Sequence, residues 1–130
     1  MTRDVSTEVE SLLTSEPLVA HLATCSENRP HVAPVWYRYD AGQLSVVTGG
    51  TKLANIRANP RVACSIEKSS DGATEWMVSL LGTATVVDDP DAFAAANRRI
   101  NEKYGTREDA YSENTLVRID IATATARRYD

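Results

Sequence analysis

Lysine is nearly missing from this chain. It occurs only at Lys52, Lys68 and Lys103, against eleven arginines. A basic excess is missing as well: the net charge is −4 at pH 7. A protein that grips nucleic acid through its phosphates carries a basic patch or stripe, so nucleic-acid binding is not expected, although one local basic pocket remains allowed. No apolar run is long enough to cross a bilayer. The opening MTRDVSTEVE has no apolar signal-peptide core. A soluble, cytoplasmic protein without a membrane partner is therefore expected. Cysteine is confined to Cys25 and Cys64, far apart, in no CxxC spacing and each inside an apolar strand-like run, so both read as small buried hydrophobes. The only histidines are His21 and His31, and neither has two further ligands at fixed spacing, so no metal site is supported. His21 lies mid-strand between apolar neighbours and reads as a core or barrel-lining residue.

What is present is ordinary globular material. Apolar residues make up 42% and charged residues 25% of 130 positions, enough for a single domain over 1–130 with a real core and too little for two. Thr7 with Glu10 fits a capping box opening a helix through about Ser15, ended by Pro17. Strand-like runs follow at 18–26, 31–39, 44–48, 61–68, 75–89 and 116–129, separated by turns at 27–30, 40–43 and 69–74. Gly82, in the middle of the long fifth run, suggests a bend or bulge. Leu53, Ile56 and Arg57 recur at helical spacing before Asn59-Pro60 stops them. A further helix begins at Asp89-Pro90, carries Phe93, Ala96, Ile100 and Tyr104 on one stripe, and ends at Gly105. Asp88, Asp89 and Asp91 read as its N-terminal capping group, and 106–114 as a loop. Six strands with a few short helices, mostly joined by short turns, predict a mainly β protein, a closed antiparallel barrel or a sandwich.

The most informative stretch is TGGTKLANIRANP, residues 48–60. A helix start exposes backbone N–H groups and the positive end of the helix dipole, and an anion is stabilised there. Lys52 falls in that first turn, where a cation is opposed unless an anion joins it. Thr51 can cap the helix or donate its hydroxyl, and Gly49 and Gly50 would let a ligand approach the backbone closely. The spacing is not that of a P-loop, so a nucleoside triphosphate is not expected. Lys52 as a solvated surface residue is the plain alternative. Pro34, inside the second strand, cannot donate to a ladder and marks an edge, a bulge or an opening. Val35, Trp36 and Tyr37 follow it directly, placing aromatic surface where a flat heterocycle could lie.

Residues 31–66, HVAPVWYRYDAGQLSVVTGGTKLANIRANPRVACSI, carry in order a strand holding PVW, a D-x-G turn, a strand ending in Thr, a polar loop, K-x-x-N, and NPRVA leading into a strand. In that order they resemble the pyridoxamine 5′-phosphate oxidase-like family of flavin- and deazaflavin-binding split barrels, with similarity over about residues 10–88 and more loosely to the final strand. The resemblance implies a six-stranded antiparallel split β-barrel with small peripheral helices, and a homodimer with two cofactor sites at its interface. It implies that Lys52 and Thr51, with Gly50, hold the cofactor phosphate and that Thr48 closes the third strand near the ring system. It places His31, Pro34, Val35 and Trp36 beside the isoalloxazine or ribityl chain, and Asn55 one helical turn beyond the phosphate. The neighbourhood of Trp76 and Met77 would come from the partner subunit. Relatives that oxidise pyridoxamine phosphate carry an Arg-Lys pair where this chain has Thr51-Lys52. They also carry a basic residue at the His31 position and an arginine-rich C-terminal signature, which ATARRYD does not reproduce. Vitamin B6 oxidation is therefore not the expected activity. FMN is the expected cofactor, with coenzyme F420 as the alternative, because Arg57 and Arg61 stand without a dense basic cluster to hold an acidic tail.

A flavin carries the redox chemistry itself, so no catalytic triad is required and none is visible. Three functions stay open at this point: a flavin-dependent oxidoreductase acting on a small molecule, a flavin carrier or sensor without turnover, and an interaction β-barrel with no ligand.

Overall fold

A computed structural model describes residues 5–129. Ten elements follow in order: α1 (Thr7–Leu13), β1 (Ala20–Ser26), β2 (Arg29–Val35), β3 (Arg38–Asp40), β4 (Gln43–Thr48), α2 (Gly50–Ala58), β5 (Arg61–Ser70), β6 (Ala73–Val87), α3 (Pro90–Lys103) and β7 (Thr115–Arg128). The strands form one antiparallel sheet in the order β2-β1-β5-β6-β7-β4-β3. Its two edges, β2 and β3, are consecutive in the chain and separated only by Trp36 and Tyr37. The chain thus leaves one edge of the curled sheet and enters the other within two residues. This is a split barrel, and it explains the count of seven strands where the sequence predicts six. The run 31–39 alternates continuously, but its hydrogen-bonding partner changes from β1 to β4 at Trp36-Tyr37.

Hairpin geometry sets the register. Three two-residue turns, Glu27-Asn28, Ala41-Gly42 and Asp71-Gly72, place both residues at positive φ, between 47° and 84°. Such turns match the twist of the strands they join. Asn, Asp and Gly tolerate this region, whereas alanine pays for it. Ala41, at φ 47°, is thus mismatched to its position. Ala41→Asn, which creates an Asn-Gly turn, is expected to stabilise the fold by about 0.5–1 kcal/mol, read as a rise in the thermal unfolding midpoint with no change in the secondary-structure signal.

The inward faces of the strands bring Leu22, Leu44, Val46, Ile66, Val78, Leu80 and Ile119 together, each no more than 1% exposed, and Leu13 of α1 joins this core. Cys64 is part of it, with burial pushing its thiol up to about 12, so it is a chemically quiet hydrophobe. Cys25 is only half-buried. His21 overturns its expectation: Ala20, Leu22 and Thr24 take the inward positions of β1, and His21 points outward and is exposed.

Helix ends also shift from their expected places. Ser6, not Thr7, caps α1, its Oγ accepting from Val9 N at 3.2 Å. Glu10 instead accepts from the Tyr39 hydroxyl at 2.6 Å, which ties α1 to β3. The helix stops at Leu13 rather than Ser15, where Thr14 and Ser15 turn their hydroxyls back to the carbonyls of Glu10 and Leu12. For α3 the expected cap is Asp89, accepting from Asp91 N and Ala92 N, with Asp91 in the first turn. Gly82 likewise marks an irregularity: the β6–β7 register slips between Leu81 and Gly82, so that Leu81 faces Thr123 while Gly82 faces Ile121.

Candidate functional site

Beside the split lies a cavity of about 500 Å³ lined by the ends of β2 and β4. Pro34 and Val35 come from the end of β2, Val47 and Thr48 from the end of β4, and Val19 from the segment before β1. Trp36 enters from the crossover, and Lys52 from the first turn of α2. The far wall is α3 with the loop after it: Asn97, Ile100, Asn101, Tyr111 and Asn114. Prolines are tolerated in β2 because it is an edge strand, which places Pro34 at the opening.

Aromatic packing fixes the crossover. The Trp36 indole stacks on the Tyr104 ring at 4.5 Å between centroids and 3° between planes. The Tyr111 ring meets it edge-on at 5.7 Å. The Tyr104 hydroxyl accepts from Tyr37 N and donates to the Leu18 carbonyl, so the end of α3 locks both segments flanking the opening. Burial raises the affinity of the Tyr104 and Tyr37 hydroxyls for their protons. Tyr37 is fully buried and donates to the Leu13 carbonyl at 2.6 Å. Lys103 donates to the Tyr37 carbonyl at 2.7 Å and lies 3.7 Å from the centre of its ring. Burial, assisted by the nearby Arg38 charge, lowers this amine to about 8.

At the α2 end, Gly49 is the N-cap and no side chain caps the helix. No acidic residue occupies the first turn. This departs from the expectation that Thr51 could cap: it is the second helical residue and is exposed. Gly50 begins the helix at φ +63°, a conformation that favours glycine, with open space where a Cβ would project.

Five of the ten residues singled out in the sequence therefore line one cavity: Pro34, Val35, Trp36, Thr48 and Lys52. Five do not. Gly50 and Thr51 sit exposed at the helix start beside it. Asn55 points back to the sheet, its Nδ2 donating to Thr24 Oγ1 at 3.0 Å. His31 stands across from Thr24 in the β1–β2 ladder, with its Nδ1 buried and lacking a hydrogen-bond partner. Trp76 is 6% exposed and packs in the core of this same subunit.

The sequence reading missed the far wall. Asn97 and Asn101 are 4% and 1% exposed, and they sit one helical turn apart on the face of α3 that carries Ile100. Their spacing was the available signal: two carboxamides at i, i+4 flanking an apolar stripe. Tyr111 and Asn114 lie in a segment that reads only as a polar loop, and Tyr111 adopts φ 61°, rarely taken by a bulky residue.

The sequence matches the family model described as pyridoxamine 5′-phosphate oxidase over residues 6–128. No curated protein matches it significantly. Among solved structures, it is similar to an FAD-binding protein from Mesorhizobium loti, with 24% identity, 96% of each chain covered and a TM-score of 0.78. An F420 reductase is similar at 24% identity and TM-score 0.73, covering 88% of this chain and 94% of that one. The heme storage protein HutZ from Vibrio cholerae superposes with TM-score 0.78 at 17% identity, covering 98% and 95%. At these identities the structural likenesses establish the split-barrel fold, while the family match spans nearly every described residue: the chain belongs to the pyridoxamine 5′-phosphate oxidase family.

Proposed function

We propose that this protein is a flavin-dependent oxidoreductase that binds FMN in the cavity at the barrel split, with the cofactor phosphate at the start of α2. One observation carries the reading: the Lys52 side chain, in an uncapped first turn where the helix dipole opposes a cation, opens into the same cavity as Trp36 and Thr48. The residues fit the group. The free N–H groups of the helix start and the Lys52 ammonium suit a phosphate ester. The Trp36 edge of the cavity suits a flat ring, and an FAD-binding relative and an F420 reductase share the fold.

When bound, a flavin supplies the hydride and electron chemistry. The chain's part is to hold and orient it. Lys52 and the helix start fix the anionic end, and the Tyr104–Trp36 stack keeps one wall rigid. Val19, Pro34, Val35, Val47 and Ile100 keep the middle of the cavity apolar. The substrate is a small molecule that reaches the open side. Homodimerisation belongs to the same proposal. Edge strand β2 leaves Val32 64% exposed, an apolar position that a second copy would cover.

FMN is preferred to F420 because the arginines do not gather at the cavity. Arg38, Arg99 and Arg118 line a separate groove on the opposite face of α3, together with Asp40, so an acidic tail would gain little from them. The test is titration of the purified protein with FMN and with F420, followed by anaerobic addition of NAD(P)H and reoxidation by candidate acceptors. Micromolar uptake of FMN, reduction and acceptor-dependent reoxidation are the expected results. Uptake of neither cofactor overturns the proposal, and uptake without reduction or reoxidation overturns the enzymatic part of it.

A further inference from the structure

Asn97 and Asn101 are nearly fully buried, and their hydrogen bonds can be counted atom by atom. Asn101 Nδ2 donates to two carbonyls, Glu108 at 3.2 Å and Ala110 at 2.9 Å. Both of its N–H bonds are therefore spent. Asn97 Nδ2 donates once, to the Ala110 carbonyl at 2.8 Å. A carbonyl cannot donate, so these partners also fix which end of each carboxamide is nitrogen. What remains is one N–H and the Oδ1 of Asn97, and the Oδ1 of Asn101. Neither oxygen has a hydrogen-bond partner among the described residues, and neither is sealed from solvent. Both residues line the cavity. Polar groups held this deep without partners are costly unless something pairs with them.

We propose that Asn97 and Asn101 form a recognition site for a cyclic amide or imide edge, a ring carbonyl beside a ring N–H, on the ligand that fills the cavity. Asn97 presents a donor and an acceptor side by side, the complement of that edge, and Asn101 adds a second acceptor for the ring N–H. The cavity thereby acquires two unlike ends: a cationic end at Lys52 and a neutral, amide-reading end on α3. A carboxylate or phosphate is rejected at the second end, because two acceptor oxygens already face it. This assignment rests on the flavin reading above and deepens it, since it places the pyrimidine edge of the flavin ring against α3 and names the residues that select it.

The experiment compares binding of FMN and of FMN methylated at ring N3, followed by flavin fluorescence, to the wild-type chain and to Asn97→Ala. The substitution leaves the Ala110 carbonyl bonded to Asn101, so the loop keeps its tie to α3, and thermal unfolding of the variant verifies this. The wild type is expected to bind FMN at least tenfold more tightly than the N3-methyl compound, and Asn97→Ala to reduce that preference to less than threefold. Equal binding of the two compounds by the wild type overturns the amide-edge assignment and leaves the flavin site standing. Binding of neither overturns the flavin reading and this assignment with it.

Discussion

Lys52→Ala is expected to weaken FMN binding by about 10- to 100-fold while leaving riboflavin binding and thermal stability unchanged or slightly improved. The magnitude follows from the interaction removed: a hydrogen bond to a charged group contributes about 1.5–3 kcal/mol, and each 1.4 kcal/mol is about tenfold in affinity. The direction of the stability change follows from position. Lys52 stands in the first turn of α2 and its amine makes no ion pair or hydrogen bond among the described residues. Removing a cation from the positive end of a helix relieves about 0.3–1 kcal/mol of unfavourable interaction. A side chain kept for folding would behave in the opposite way. Riboflavin, which lacks the phosphate, separates the two ends of the ligand: its affinity should be the same for wild type and variant. Titrations followed by flavin fluorescence, with parallel thermal melts, measure all of these. An unchanged FMN affinity in Lys52→Ala would remove the lysine from the site.

The second large effect concerns the barrel. Gly82→Ala is expected to destabilise the protein by about 3 kcal/mol, lowering the unfolding midpoint by roughly 10 °C. A Cβ at Gly82 would lie 2.5 Å from the backbone oxygen of Asp120 and 2.8 Å from Ile119 Cγ2. The first of these atoms is backbone and cannot move aside without shifting β7. The strand is held there from its other side, since Ile119 pairs with Leu44 and Asp120 with Gln43 in β4, and Ile121 N donates to Gly42 O at 3.0 Å. Gly82 lies at the register slip that lets the 15-residue β6 pair with β5 along most of its length and still follow β7 around the curve. Leu81 is the adjacent control. It is 58% exposed, so Leu81→Ala should change stability little. A Gly82→Ala protein as stable as wild type would show that β6 and β7 do not approach as closely as described.

Much of this architecture was legible in the sequence because strands announce themselves locally. The turn signals at 27–30, 40–43 and 69–74 sit where the chain does reverse, and Gly82 and Gly105 each mark the irregularity or stop that their positions suggest. The β2–β3 break was not legible. Alternation persists through Trp36 and Tyr37, and only the three-dimensional closure of the sheet decides that Val35 pairs with Ala20 while Arg38 pairs with Ser45. His21 was misjudged for a related reason: apolar flanks indicate a strand, but register alone decides which parity faces inward.

The site divides along similar lines. Lys52, Thr48 and Trp36 belong to contiguous segments whose local chemistry is unusual, and the structure brings them together. The opposite wall is built from α3 and the 106–114 loop, more than 40 residues further along the chain. No local pattern joins Asn97 and Asn101 to Lys52; the fold does. Trp76 lies in the core of its own chain; the contribution to a partner's site that the resemblance implied belongs to the dimer proposal.

The central claim is that the start of α2, with Lys52, seats the phosphate of a flavin nucleotide at the split of the barrel. A crystal structure of the FMN complex tests it most directly. The claim requires density for the phosphate within hydrogen-bonding distance of Lys52 Nζ and the ring beside Trp36. Flavin bound elsewhere, with the lysine extended into solvent, would contradict it.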